Sequence, residues 1–151
     1  MIHRSAKYRL LSAVVAILFG AALAGCRRQA SDDIANRRLH SIAGKNATDC
    51  GHVSLHQNTT AANDCALAAW KANRPFLISC DVQGIDSKLV FGLASGGDGD
   101  LFSVKYDSIG WRNDDLHAGR NILDSNHILV VHCPRPVKLF VSSAGYLDCH
   151  D

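Results

Sequence analysis

The amino-acid sequence predicts an α+β domain in which one N-terminal helix packs on an antiparallel sheet of about five to six strands, stapled by disulfides. Three observations favour this class. One stretch after Gln57 has small apolar residues at helical spacing, the chain beyond Pro75 alternates in the manner of strands, and there are six cysteines in 151 residues. Residues 48–151 are enough for one hydrophobic core and too few for two.

The start of the chain has the features of an export segment. Arg4, Lys7 and Arg9 precede an apolar run from Leu10 to Leu23. This run suits the apolar region of a signal peptide better than a permanent span, which needs about 20 core-crossing residues. An uncleaved signal anchor is the alternative.

The next residues, Leu23-Ala24-Gly25-Cys26, decide between these alternatives. They resemble the lipobox of bacterial lipoproteins, in which the cysteine thiol receives a diacylglyceryl group and becomes the first residue of the mature protein. The resemblance implies that residues 1–25 are a signal peptide and that acylated Cys26 binds a lipid bilayer. Arg27 follows, where lipoproteins kept at the inner membrane of enteric bacteria typically carry aspartate, so the resemblance implies an outer-membrane location facing the periplasm.

Removal of residues 1–25 changes the charge of the chain. The leader holds three of the 16 Lys and Arg and none of the 14 acidic residues, which leaves 13 basic against 14 acidic groups. A nucleic-acid surface needs clustered basic side chains, so we expect no nucleic-acid partner.

Residues 26–47 are polar and contain two arginine pairs, Arg27-Arg28 and Arg37-Arg38. Because we find no sustained apolar period here, the segment predicts a lipidated N-terminus followed by a flexible stalk. The globular domain is then expected to span residues 48–151.

The helix is predicted after Gln57, with Asn58 or Thr59 as its N-cap. Its small residues at helical spacing suit close packing on a sheet, and proline disfavours helical geometry in the residue before it, so Pro75 is expected to end it. These small residues are Ala61, Cys65, Ala68, Ala69 and Ala72.

The first strands follow the helix directly. Phe76 to Val82 alternates with Phe76, Ile78, Cys80 and Val82 on one face, and Gln83-Gly84 predicts a turn. A hairpin is expected from the next two apolar segments, because the glycine-rich residues 95–100 between them permit positive φ. These segments are Leu89 to Leu93 and Leu101 to Tyr106.

The remaining strands lie near the C-terminus. His127 to Cys133 predicts a buried strand, and Val137 to Val141 with Tyr146 to Cys149 predicts a closing hairpin. Ser108 to Ile122 has no clear pattern, although Trp111 is expected to pack inward.

Lipidation of Cys26 leaves five thiols, which in an exported domain predict two disulfides and one spare cysteine. Five thiols allow about 15 arrangements of two bridges, and of these we expect Cys50 with Cys65 and Cys133 with Cys149. Each bridge would close a loop of about 15 residues and stabilise the fold by roughly 3 kcal/mol. Cys80 is then the free thiol, since it lies on the apolar face of its strand.

Cysteine catalysis is the alternative to this structural role. Asp49-Cys50-Gly51 resembles part of the Asp-Cys-Ser-Gly nucleophile segment of NlpC/P60 cell-wall peptidases, but the serine is missing. A small cell-wall hydrolase using Cys50 or Cys80 is therefore the second hypothesis for function.

Two patterns could bind a metal. His52 and His56 are four residues apart, but Val53 and Leu55 alternate between them and favour an extended segment over a zinc helix. Asp98-Gly99-Asp100 offers oxygen ligands to calcium, although the same residues suit a hairpin turn. We expect the turn, and neither a metal nor a cofactor.

The spacing of several motifs resembles small exported or lipid-anchored bacterial envelope domains of unknown function. These motifs are Asp49-Cys50-Gly51, Cys65, Pro75-Phe76, Gly84-Ile85-Asp86-Ser87, Tyr106-Asp107-Ser108 and Cys133-Pro134. We expect a non-catalytic binding module whose partner is an envelope protein or peptidoglycan. One specific form is an immunity or inhibitor protein for an envelope hydrolase.

Overall fold

The computed structural model describes residues 30–111, 121–125 and 127–149, with the backbone alone described at 30–33 and 121–125. The helices are α1 (Ala30–Ala43) and α2 (Thr60–Lys71). The strands are β1 (Thr48–Val53), β2 (Phe76–Gln83), β3 (Lys88–Ser95), β4 (Leu101–Asp107), β5 (Asn121–Ser125), β6 (Ile128–His132), β7 (Phe140–Val141) and β8 (Leu147–Asp148).

Six of the strands form one sheet in the order β1-β2-β3-β4-β6-β5, and β7 and β8 form a separate hairpin. The predicted α+β class is confirmed, with antiparallel pairing throughout the sheet except between β1 and β2. That pair is parallel because the connection from β1 to β2 runs through α2, which carries the chain back to the starting end.

The two helices cover opposite faces of the sheet. Residues alternate along β2, so Leu77 joins the core beneath α1, whereas Phe76 and Ile78 join the core beneath α2. The α2 side is completed by the β7–β8 hairpin, from which Leu147 is buried in the same cluster. Both faces of the central strands are therefore protected from water.

The first helix, α1, lies where the sequence predicted a flexible stalk. Residues 30–43 form α1, in which Ala35, Leu39 and Ala43 are buried against the sheet. These residues recur every four positions and make a narrow apolar stripe between charged neighbours. The folded domain thus begins before residue 48, and a flexible segment of 26–47 is wrong over the length of α1.

α1 lies unusually close to the sheet at Gly92. A Cβ at this position would stand 2.6 Å from the Ile78 carbonyl oxygen and 2.7 Å from Leu39 Cδ1. Only glycine provides that space, so the contact between Leu39 and β3 depends on it.

The predicted helix after Gln57 is confirmed as α2, but its buried face differs from the expected one. Asn63, Ala66 and Ala69 are buried, whereas Ala61 and Ala68 are exposed. The reason is that Trp70 and Leu67 pack against the core, and their larger apolar surfaces fix the rotation of the helix.

α2 ends before Pro75 is reached. Asn73 has φ 52°, its N–H donates to the Trp70 carbonyl, and the Arg74 N–H donates to the Ala69 carbonyl. This pair of bonds is the Schellman arrangement, which satisfies the last carbonyls of the helix. Asn73 therefore ends α2, and Pro75 follows as the chain enters β2.

The predicted strands from Phe76 onward are confirmed, although the closing hairpin is shorter than expected. Only Phe140–Val141 and Leu147–Asp148 pair in it. Trp111 packs inward in part, because its side chain is half-buried and its Nε1 is enclosed. The rest of the segment Ser108 to Ile122 lies largely outside the described residues, and its last two residues belong to β5.

The disulfides join the pairs expected from the sequence. Cys50 bonds to Cys65 and links β1 to α2, while Cys133 bonds to Cys149 and fixes the end of the chain to the end of β6. Both bridges contribute to the core on the α2 face. Cys80 is a buried free thiol.

Candidate functional site

A cleft of about 280 Å³ opens where the parallel strands β1 and β2 reach their C-terminal ends. It is lined by Val53, Ser54, Leu55, His56, Gln57, Thr59, Cys80, Asp81, Val82, Gln83 and Ala144. The C-terminal ends of parallel strands are a common position for ligand sites, because the chain leaves the sheet there and makes room for a ligand. We call this the β1–β2 cleft.

One wall of the cleft is the loop 54–57. The Gln57 N–H donates to the Ser54 carbonyl at 3.0 Å, and the Gln57 side chain accepts from the Ser54 N–H at 3.1 Å. His56 adopts φ 66°, a left-handed conformation that costs free energy in a residue other than glycine. Two hydrogen bonds thus hold the loop in a defined shape, with His56 and Leu55 in the cleft wall.

The opposite wall is the end of β2. The pairing of β1 with β2 stops at Val53 and Cys80, whereas β2 continues to Gln83. Residues 81–83 are therefore paired with β3 on one side and face the cleft on the other. A strand edge of this kind can accept main-chain hydrogen bonds from an extended ligand.

The floor includes the Cys80 thiol. Its burial, with the charges of Asp81 and Asp148 as smaller causes, raises the pKa of Cys80 to about 12. A thiol of this kind is protonated at neutral pH and is a poor nucleophile.

A polar cluster joins β1, β2 and α1 next to the cleft. His52 Nδ1 lies 2.9 Å from Ser79 Oγ, and the Ser79 hydroxyl donates to Asn36 Oδ1 at 3.0 Å. His52 Nε2 lies 3.4 Å from Asp81 Oδ1, and Lys88 Nζ approaches the same oxygen at 3.8 Å. Asp81 also lines the cleft, so this cluster fixes one of its walls.

The cluster contains the residue types of a serine hydrolase, but its arrangement is structural. Ser79 is only 3% exposed, because it lies in the middle of β2 beneath α1. Its hydroxyl is engaged by both Asn36 and His52. A substrate carbonyl cannot reach this oxygen without displacing α1.

The segment around Cys50 has a structural explanation as well. The Gly51 N–H donates to Asp49 Oδ1 at 2.8 Å, Gly51 has φ 88°, and the register of β1 shifts between Asp49 and His52. This bulge turns the Cys50 side chain toward α2, where the disulfide forms. The Asp49-Cys50-Gly51 motif is thus accounted for by the bulge and the bridge.

A second charged group lies at the opposite end of the sheet. Asp100 pairs with Arg135, and His132 Nε2 lies 3.3 Å from Asp100 Oδ1. Hydrogen bonds from Arg135, followed by those from His132, lower the pKa of Asp100 below its ordinary value. This group ties the start of β4 to the segment after β6.

The patterns considered for metal binding have other partners. His52 is engaged by Ser79 and Asp81, and Asp98 accepts from the Asp100 N–H at 3.1 Å in the β3–β4 turn. Within the described residues, no three histidine, cysteine or acidic side chains come together as a metal site. The hairpin turn at Asp98-Gly99-Asp100 is confirmed.

The Asp-Ser pair that ends β4 closes a turn. Asp107 Oδ1 accepts from the Ile109 N–H at 2.9 Å, and Ser108 Oγ accepts from the Lys88 N–H at 2.9 Å. The sequence does not indicate the contact of Asp81 with His52, because His52 lies on β1, far from Asp81 along the chain.

Cys26 and the lipobox lie outside the described residues. Over the part of the chain that the structure describes, neither helix has the length and hydropathy to span a bilayer. No protein-family model, curated protein or solved structure matches this chain.

Proposed function

We propose that this chain is a lipoprotein of the bacterial envelope, anchored through acylated Cys26 to the outer membrane and acting in the periplasm as a non-catalytic binding module. The observation that carries the binding role is the β1–β2 cleft, with its defined 54–57 loop and the strand edge at residues 81–83. Two disulfides support an oxidising compartment, since such bonds persist outside the cytoplasm.

The state of the cysteines favours binding over thiol catalysis. Cys50 is held in a disulfide and has no thiolate to attack a substrate. Cys80 is buried and its pKa is raised to about 12. A nucleophilic cysteine needs the opposite conditions, namely partial exposure and a lowered pKa.

The shape of the cleft suits an extended chain. Val53, Leu55 and Val82 provide apolar contacts, and the edge of β2 provides main-chain hydrogen bonds. A segment of an envelope protein or a peptide stem of peptidoglycan meets these requirements. Inhibition of an envelope hydrolase is the specific form that we propose, with the cleft holding a segment of the enzyme.

The test compares two exposed hydrophobic positions in binding assays with purified peptidoglycan and with solubilised envelope proteins. Leu55→Asp places a charge in the cleft wall, whereas Val141→Asp places the same charge on an exposed residue that does not line it. Both residues are exposed enough for the variants to fold, since substitutions at such positions usually change stability by less than about 0.5 kcal/mol.

We expect the parent chain and Val141→Asp to retain the same partner and Leu55→Asp to lose it. If that partner is a hydrolase, its activity should fall on addition of the parent chain and recover with Leu55→Asp. Equal retention by all three proteins, or cleavage of peptidoglycan by the purified parent chain, would contradict the proposal.

A further inference from the structure

We infer that the end of the sheet carrying Ile85 and Ile109 seats against the lipid bilayer, with both isoleucine side chains entering the membrane interface. The inference rests on the proposed acylation of Cys26 and goes beyond it, because a lipid anchor alone does not decide which side of a domain faces the membrane. Four features support it: the exposure of the two isoleucines, their common position, the direction of α1, and the short segment between Cys26 and α1.

Ile85 and Ile109 are the most exposed of the large hydrophobic residues in the described chain. Ile85 is 99% exposed in the turn between β2 and β3, and Ile109 is 66% exposed in the turn after β4. Two large apolar side chains held in water at turn tips favour transfer to an apolar surface.

Hydrogen bonds bring the two turns to the same end of the sheet. The Ser108 N–H donates to the Lys88 carbonyl at 3.0 Å, and the Lys88 N–H donates to Ser108 Oγ at 2.9 Å. Lys88 closes the turn that contains Ile85, and Ser108 precedes Ile109. The two isoleucines therefore project from adjacent turns.

α1 begins at this end. Its last turn lies at the opposite end, where the Ile42 carbonyl approaches Gly96 and the chain then enters β1 beside Phe76. Earlier in the helix, Asn36 reaches Ser79 in the middle of β2. Fourteen helical residues extend about 21 Å, close to the length of β2, so Ala30 lies near the level of the isoleucine turns.

The chain between the anchor and α1 is short. Cys26 precedes Ala30 by four residues, and such a segment spans at most about 14 Å. Acyl chains on Cys26 would therefore hold the start of α1 within that distance of the bilayer. Arg27 and Arg28 lie in this interval and can contact anionic head groups. Asp86 is exposed beside Ile85, and its carboxylate would remain at head-group level.

The test uses the acylated chain, purified from membranes, with single probes at three positions. Ile85→Cys, Ile109→Cys and Gly97→Cys are each labelled with a polarity-sensitive fluorophore and placed in vesicles of phosphatidylethanolamine with a minor fraction of phosphatidylglycerol. Gly97 is the matched control, because it is exposed in the turn at the opposite end of the sheet and a Cβ there meets no atom within 4 Å.

We expect blue-shifted emission and loss of quenching by aqueous iodide at positions 85 and 109, and unchanged quenching at position 97. A second measurement needs no probe: hydrogen exchange in residues 84–87 and 108–110 should slow in vesicles for the parent chain, and this protection should be lost in the Ile85→Asp, Ile109→Asp double variant.

Three results would overturn the inference. If intact mass shows acylated Cys26 but all three probes are quenched equally, the membrane-facing end is wrong while the anchor stands. If the mass shows no acyl chain, the anchor and the orientation fail together. If positions 85 and 109 become protected only after envelope proteins are added to the vesicles, the isoleucines contact a protein and not lipid.

Discussion

The Cys80 thiol fills part of the core and also borders the β1–β2 cleft. Burial raises its pKa to about 12, so at pH 8 only roughly one thiol in ten thousand is ionised. A thiol in this state fills space as a small hydrophobe does.

We therefore expect Cys80 in the folded, oxidised chain to resist alkylation by iodoacetamide at about pH 8, because the thiolate is the reactive form. The same thiol should react readily once the chain is unfolded in guanidinium. Mass spectrometry of both samples gives the two rates. Similar rates in the two states would show that Cys80 is accessible and ionised.

Asp100 should make the free energy of unfolding depend on pH, and its partners set the direction of that dependence. Arg135 and His132 lower its folded-state pKa, so the carboxylate stabilises the fold above the ordinary aspartate pKa of about 3.9. This contribution is lost as the pH falls through the folded-state pKa.

Asp100→Asn should accordingly lower the free energy of unfolding near neutral pH, and its difference from the parent chain should shrink toward about pH 3. Denaturant melts at several pH values measure this difference. Asp86→Asn removes one exposed carboxylate without these partners and is the control. A constant difference for Asp100→Asn across the range would contradict the assigned ion pairs.

At the scale of elements, strands were easier to predict than helices. The segments from Phe76 to Tyr106 form the expected strands, although β2 and β3 are buried on both faces and not on one alone. The glycine-rich turn between β3 and β4 follows from its composition. α1 was missed because its stripe is narrow and lies between charged residues. The recurrence of Ala35, Leu39 and Ile42 at helical spacing is the signal that could have revealed it.

The packing of α1 gives a direct test of its role. Leu39 is fully buried against Gly92 and the core on that face, so Leu39→Ala should lower the free energy of unfolding by about 2–5 kcal/mol. His40→Ala, one residue along on the exposed side, should change it by less than about 0.5 kcal/mol. Chemical denaturation compares them. Equal stability of the two variants would contradict the packing of α1 on the sheet and would favour the flexible stalk.

Short separations leave Cys65 two candidate partners, Cys50 and Cys80, each 15 residues away. The position of Cys80 on the apolar face of its strand favours Cys50 as the partner. The structure gives separations of 15 and 16 residues, and the two loops do not overlap. The contact of Asp81 with His52 was not predictable, since it depends on the parallel register of β1 with β2, which no local pattern encodes.

Each bridge should contribute about 3 kcal/mol to stability, because it restricts the unfolded chain. Replacing Cys50 and Cys65 together by alanine should cost this amount, replacing Cys133 and Cys149 should cost a similar amount, and the two losses should nearly add. Urea melts of the three variants measure the costs. A four-alanine variant as stable as the parent chain would contradict the account of the stapled domain.

At the scale of the whole molecule, the β1–β2 cleft and the isoleucine turns lie at the same end of the sheet. Gln83 in the cleft wall is two residues from Ile85, so a partner in the cleft would be bound close to the membrane surface. Such a position suits recognition of an envelope protein or of peptidoglycan near the outer membrane. The proposed location rests on residues 1–27 and on the two disulfides, and the isoleucine turns give the proposed orientation of the domain.

The most direct test of this account is the mass of the full chain produced in a bacterial host and analysed without reductant. We expect a mature protein that begins at Cys26, carries acyl chains on it, and yields linked peptides for Cys50 with Cys65 and for Cys133 with Cys149, with Cys80 free. A chain that keeps residues 1–25, has no acyl group and has all its cysteines reduced would contradict the central claim of an exported, lipid-anchored domain.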